Sequence, residues 1–267
     1  MNRFSLKGVF DMRKSFLLGL MAALVLCAQL AHAQQQVRIT VENLQPDDGF
    51  YLTPVWVGFH DGGFDIFNEG GMASASLEAL AEEGDVSGVA GDFTTFGSGQ
   101  SGVLANPAGF SGAPVLDPGE TASLEFNLAS TERFLTFASM IIPSNDGFFG
   151  NDAGIEVLDA SGNFNFGGPI ELSLADLWDS GTELNDGLGA PFSTTGGTST
   201  DEANAIALHG GLDNLDGTGT PDGTVINFAN ASASPVLRIT VSAIPEPGSL
   251  TFIGVLGCVG LLRRRRG

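Results

Sequence analysis

A period-two alternation of apolar and polar residues sets the strongest limit on how this chain can fold. Val37, Ile39 and Val41 alternate with Arg38, Thr40 and Glu42, and Leu124, Phe126 and Leu128 alternate with Ser123, Glu125 and Asn127. Successive side chains of a strand point to opposite faces, so each segment offers one face to a core and one to water. Residues 235–241 (PVLRITV) form a similar segment near the other end, and first and last strands of this kind bracket a single domain. Residues 133–142 are more continuously apolar, which predicts a central strand buried on both faces. Further strands are expected near 52–59, 154–159 and 224–228. Glycine supplies 38 of 267 residues and breaks the chain into short segments, favouring an all-β antiparallel sandwich or barrel over βαβ units.

Two short helices are expected within this pattern. Residues 74–83 (SASLEALAEE) are rich in helix formers, with Ser74 as cap and Gly84 as stop. Residues 173–178 open on the Ser173/Asp176 spacing of a capping box. Residues 84–113 and 185–222, rich in Gly, Ser, Thr and Asp, read as long surface loops. No internal repeat of 20–50 residues is evident.

The two ends read as addresses. Arg13 and Lys14 precede an apolar run, and Ala31 and Ala33 supply the small residues of a cleavage site, so residues 1–33 are expected to be a signal peptide, with Met12 as an alternative start. At the far end Pro245, Glu246 and Pro247 precede an apolar run over 250–262, followed by Arg263, Arg264, Arg265 and Arg266. That run is short for a full span, and the arginines would be held on the cytoplasmic side. This three-part tail, residues 243–267, resembles the PEP-CTERM sorting signal of Gram-negative bacteria that make exopolysaccharide. The resemblance implies transient inner-membrane anchoring, removal by an exosortase-type enzyme, and delivery to the envelope or matrix. The alternative at either end is an ordinary membrane anchor. In each case residues 34–242 form the exported domain.

Without the ends the charge balance is extreme. Eight of the eleven basic residues leave with them, as do the acids Asp11 and Glu246, so the exported part keeps Arg38, Arg133 and Arg238 against 29 acids, with no Lys and no Cys. Such a body repels nucleic acid and anionic membrane, attracts divalent cations, and cannot rely on disulfides.

Catalytic signatures are scarce. There is no His-Glu-x-x-His, no Gly-x-Ser-x-Gly and no phosphate-cradling Gly-Lys-Ser/Thr loop. Only His60 and His209 survive processing. His60, ahead of Asp61-Gly62-Gly63, fits a structural or turn role better than a catalytic one. The rival reading is a secreted polysaccharide-processing hydrolase that uses an acidic pair, with His60 as proton carrier. The loop from Asp213 to Asp222 superficially resembles a calcium loop, but Leu215 stands where an oxygen ligand is needed, so it reads as a flexible loop.

The informative segment is 140–152, MIIPSNDGFFGND. A buried strand runs into Pro143, then Ser144, Asn145 and Asp146 form a polar turn, and Phe148 and Phe149 return to the core. Further on, 177–183 (LWDSGTE) sets another acid beside a turn. Together these two motifs resemble the spondin N-terminal domain, and the resemblance spans roughly residues 37–242. It implies an antiparallel sandwich of about eight strands with one calcium site. Asp146, Asp179 and Glu125 would be the side-chain ligands, with the Ile142 backbone, Asn145 and Asp152 as further possible contributors. Asn145 stands where the family often has Pro, and Gly147 where an aromatic is common. The charges agree with a cation: carboxylates about 4 Å apart repel by roughly 1 kcal/mol in water and roughly 4 at an effective dielectric of about 20. Hard oxygens without thiol or imidazole favour Ca²⁺. The alternative is a solvated acidic rim of turn residues. The expectation is therefore a noncatalytic, calcium-binding adhesion or matrix module whose partner is exopolysaccharide or a surface protein.

Overall fold

The first and last strands of the described chain meet in one sheet. In the computed structural model, which describes residues 34–105, 114–233 and 235–245, strand β1 (Gln35–Asn43) pairs antiparallel with the last strand, β12 (Leu237–Ala243), from Val37 opposite Ala243 to Asn43 opposite Leu237. On its other side β1 pairs with β5 (Thr121–Leu128), and β9 (Ile170–Leu172) completes a four-stranded sheet in the order β5-β1-β12-β9. The expected signal peptide, residues 1–33, and the expected sorting tail beyond Pro245 lie outside the described residues. Among those described, no helix is long and apolar enough to cross a membrane.

The second sheet has eight strands centred on β6 (Phe134–Ile142). On one side of β6 lie β3 (Val55–His60) and β4 (Gly99–Leu104), and on the other β7 (Gly147–Gly150), β10 (Trp178–Asp179) and β11 (Ala207–Leu208). Two short strands, β2 (Tyr51–Leu52) and β8 (Ile155–Glu156), also pair with β6. The sheets enclose the main core: Val37, Ile39 and Val41 from β1 share one cluster with Val57 and Phe59 from β3, Leu135 and Phe137 from β6, and Phe149 from β7. Each such side chain gains about 1.5–3 kcal/mol by leaving water.

A helical layer explains the continuously apolar central strands. Helices α1 (Ala75–Glu83) and α2 (Ser87–Phe96) cover the outer face of the eight-stranded sheet. Leu77, Leu80, Ala81, Val89 and Phe93 pack there with Trp56, Ala138 and Phe148. Every residue of β3 is consequently buried, and β6 is buried almost throughout. The expected cap and stop of α1 are present. Ser74 Oγ accepts from the Leu77 N–H, and Gly84 ends the helix at φ 69°, where an added Cβ would lie 2.5 Å from Thr53 Cγ2.

Three expectations need correction. Residues 84–105 are not loop but α2 and β4; the buried face of α2 is carried by Val89 and Phe93 alone, too few apolar residues to stand out among Gly, Ser and Thr. Residues 224–228 form no strand: Val225 makes an isolated bridge to Gly219, and Asn227 caps a short helix, α3 (Phe228–Ala231). The expected helix over 173–178 shrinks to a single 3-10 turn, Leu174–Asp176, with its capping box intact, because Trp178 and Asp179 are drawn into β10.

Candidate metal centre

The two acid-bearing turns meet because β7 and β10 are neighbours. Their antiparallel register places Trp178 opposite Phe148 and Asp179 opposite Gly147, beside Asp146. Trp178 anchors the pair, its indole N–H donating to the Gly150 carbonyl at 3.1 Å and its ring 5.1 Å from that of Phe67. The first turn is drawn tight by Ser144, whose Oγ donates to the Ile141 carbonyl at 2.6 Å and accepts from the Gly147 N–H at 3.1 Å. Gly147 suits this geometry, since a Cβ there would come within 2.9 Å of Ser144 Oγ.

The second turn wraps around Asp146, which is fully buried. One carboxylate oxygen accepts from Ser180 Oγ at 3.0 Å and from the backbone N–H groups of Thr182 and Glu183 at 2.9 and 3.2 Å. Gly181 makes that wrap possible: its φ is 71°, and a Cβ would lie 2.5 Å from the Asn204 carbonyl oxygen. Asp179 Oδ1 accepts from the Gly181 N–H at 2.7 Å. Asn185 then spans the pair, its Nδ2 donating to Asp179 Oδ2 at 2.8 Å and lying 3.5 Å from Asp146 Oδ1. Burial, with the neighbouring Asp146 charge, pushes Asp179 up to about 6.

Of the residues singled out from sequence, Asp146 and Asp179 come together at Asn185; Asn145, next to Asp146 in the chain, turns its amide to Glu183, and Glu125 and Asp152 lie elsewhere. Glu125 lies on β5 in the four-stranded sheet and pairs with Arg38 across the strands, so it does not join the two acids as the resemblance implied. Asp152 is separated from Asp146 by the length of β7, roughly 20 Å at strand rise, and accepts from the Glu69 N–H instead. The Ile142 side chain packs at the end of β6 in a small apolar cluster with Tyr51, Val115, Met140 and Ala190.

The structure adds acids that sequence spacing did not single out. Glu183, 2% exposed, accepts from Asn145 Nδ2 at 3.3 Å and is pushed up to about 7, chiefly by burial. It lines a cavity of about 380 Å³ with Glu82 and Glu83 from α1 and with Pro191, Phe192 and Ser199. Burial also raises Glu82. The signal for Glu183 was present in the Trp-Asp-Ser-Gly-Thr-Glu run. That for Glu82 was not, because only the packing of α1 on the sheet brings it here. The arginines among the described residues lie elsewhere: Arg38 pairs with Glu125, Arg133 with Glu156, and Arg238 with Glu42 and Glu171.

This donor set suits a hard cation with a light demand for charge. Among the described residues no group of three or more His, Cys, Asp or Glu side chains converges to hold a metal. A cation here would therefore rest on two carboxylates, Asp146 and Asp179, and draw its remaining oxygens from neutral groups and water. Ca²⁺, with its flexible shell of about 6–8 oxygens, accepts that arrangement.

His60 stands apart from the acids. It is buried, its Nδ1 accepts from the Gly62 N–H at 3.1 Å, and its Nε2 therefore donates to Thr136 Oγ1 at 2.8 Å. Phe64, Phe93 and Phe134 surround the ring, and burial lowers its pKa. The acids of the Asp213–Asp222 loop also have internal work: Asp216 accepts from the Phe228 N–H, Asp222 accepts from Tyr51, Thr220 and Thr224, and Leu215 joins the core.

The Spondin_N family model matches residues 45–206, a span that contains both acid-bearing turns and leaves out β1, β11 and β12. No curated protein matches the chain.

Proposed function

The chain belongs to the spondin N-terminal family, and on that premise we propose that it is an exported, noncatalytic module whose sandwich holds a calcium ion between the β6–β7 and β10 turns. The observation that carries the reading is the convergence of Asp146 and Asp179 on a single atom of Asn185, with no basic side chain among the described residues bonded to either acid. Like charges so close repel, and a cation between them would relieve that repulsion. Calcium is thus a structural clasp that ties the turn after β6 to the turn after β10. Calorimetric titration of the purified exported protein tests this; absence of Ca²⁺ binding at millimolar concentration would falsify it.

The termini supply the location. The leader motif ending at Ala33 supports export, and the Pro245-Glu246-Pro247 tail with its four arginines supports exosortase-type processing and release to the envelope or exopolysaccharide matrix. Exopolysaccharide or another surface protein is the partner class this route brings within reach. Adhesion is tested by sedimentation of the exported protein with the producing cells' own exopolysaccharide, with and without a chelator.

The hydrolase reading has lost its proton carrier, since His60 bonds Thr136 and is walled in by phenylalanines. What favours it is the cavity in which Glu183 is pushed up to about 7 beside Glu82. Screening the exported protein against polysaccharides, with Glu183→Gln as control, separates the two: turnover abolished by that substitution would establish an enzyme.

A further inference from the structure

We propose that Asn185, locked in orientation by His209, is a built-in competitor for the cation. The inference rests on the calcium reading above and concerns what sets the affinity of that site. Its starting point is hydrogen-bond polarity. The Gly211 N–H donates to His209 Nδ1 at 3.0 Å, so the ring is a neutral imidazole carrying its proton on Nε2. Burial lowers the His209 pKa, in keeping with that neutral form. The Nε2–H points at Asn185 Oδ1, 3.2 Å away. With its oxygen engaged by a donor, the amide can present only its NH₂ group to the acids. That group donates to Asp179 Oδ2 at 2.8 Å and lies 3.5 Å from Asp146 Oδ1.

A rotated amide would offer its oxygen to a cation between the two carboxylates, but it would also press NH₂ against the N–H of His209. The lock therefore works in one direction. In the cation-free protein the Asn185 NH₂ spreads partial positive charge between two acids, and a cation must displace it. The backbone at His209 is held as well, since its N–H donates to the Leu177 carbonyl at 2.8 Å, one residue before β10. His209 lies beyond the residues matched by the family model, and Asn185 within them. A structural clasp that bound too tightly would be insensitive to its surroundings; an internal competitor lowers the affinity without removing a ligand.

The test is titration of the exported protein and two variants with Ca²⁺, alongside melting curves in chelator. Asn185→Ala should bind Ca²⁺ roughly tenfold more tightly, the equivalent of one charge-assisted hydrogen bond, and should melt at a lower temperature than wild type in chelator. His209→Phe keeps the ring volume, frees the amide to rotate, and should also bind more tightly. Weaker or unchanged binding by Asn185→Ala, with wild-type binding intact, overturns the competitor role and leaves the calcium reading standing. Absence of binding in wild type and both variants overturns both. Should Asn185→Ala fail to fold, Asn185→Ser with His209→Phe carries the same comparison.

Discussion

Asp146 and Asp179 reach the same atom, Asn185 Nδ2, at 3.5 and 2.8 Å, because strand pairing sets Asp179 opposite the residue that follows Asp146. Two carboxylates are held by backbone register rather than by flexible side-chain reach. The cation they would share is therefore also a fastener between β7 and β10.

Calcium should raise the melting temperature, and Asp146→Asn with Asp179→Asn should abolish the rise. A cation at a hundred times its dissociation constant adds about 2.7 kcal/mol to the folded state, several degrees for a domain of this size. Differential scanning calorimetry with Ca²⁺ and with chelator measures it. A rise that persists in the double variant places the cation elsewhere.

The pH dependence of the cation-free protein has a definite sign. Asp179 and Glu183 sit at about 6 and about 7 in the folded state, above their ordinary values of 3.8 and 4.5. The unfolded chain holds these protons less tightly, so their contribution to stability is full below about pH 4 and is lost as pH rises through 6 and 7. Melting in chelator should therefore be lower at about pH 8 than at about pH 5. The gain from Ca²⁺ should be larger at the higher pH, where Asp179 is already ionised.

His60 is expected to matter for stability alone. His60→Ala removes a buried bond to Thr136 and a ring packed among three phenylalanines. A loss of roughly 2–4 kcal/mol is expected by analogy with other large-to-small core changes. Denaturant unfolding measures the loss, and calcium affinity should stay at the wild-type value.

Gly84→Ala should destabilise by more than about 1 kcal/mol, because the left-handed cap disfavours a side chain and the new methyl would strike Thr53. Ser74→Ala, at the other end of α1, should cost about 1 kcal/mol through loss of the cap. Both substitutions loosen the helix that brings Glu82 and Glu83 to the cavity.

Intact-mass measurement of the protein recovered from the medium or matrix should show a chain that begins at residue 34 and lacks Arg263, Arg264, Arg265 and Arg266. Retention of the four arginines would mean that the tail serves as a lasting anchor.

Local patterning made much of this protein legible in one dimension. The alternation in β1 and β5, the doubly buried run of β6 and the Ser74–Gly84 boundaries of α1 each depend on side chains a few residues apart. So did the acid-bearing turns: Ser144 and Gly181 shape their own loops, and Asp146 and Asp179 occupy them. Sequence order could not decide which acid completes the neighbourhood. Glu125 and Glu183 are equally acidic residues near the motifs, yet sheet membership sends one to Arg38 and the other to Asn145. Nor could it show that α2 is a helix, since that segment gains its stability from packing Val89 and Phe93 on the outer face of the second sheet. Asn185 and His209, 24 positions apart and within a stretch that reads as loop, meet only because β10 and β11 pair. Short-range periodicity fixes which face of a segment is buried, whereas the meeting of distant polar groups depends on strand register, and that is settled only when the whole sheet has formed.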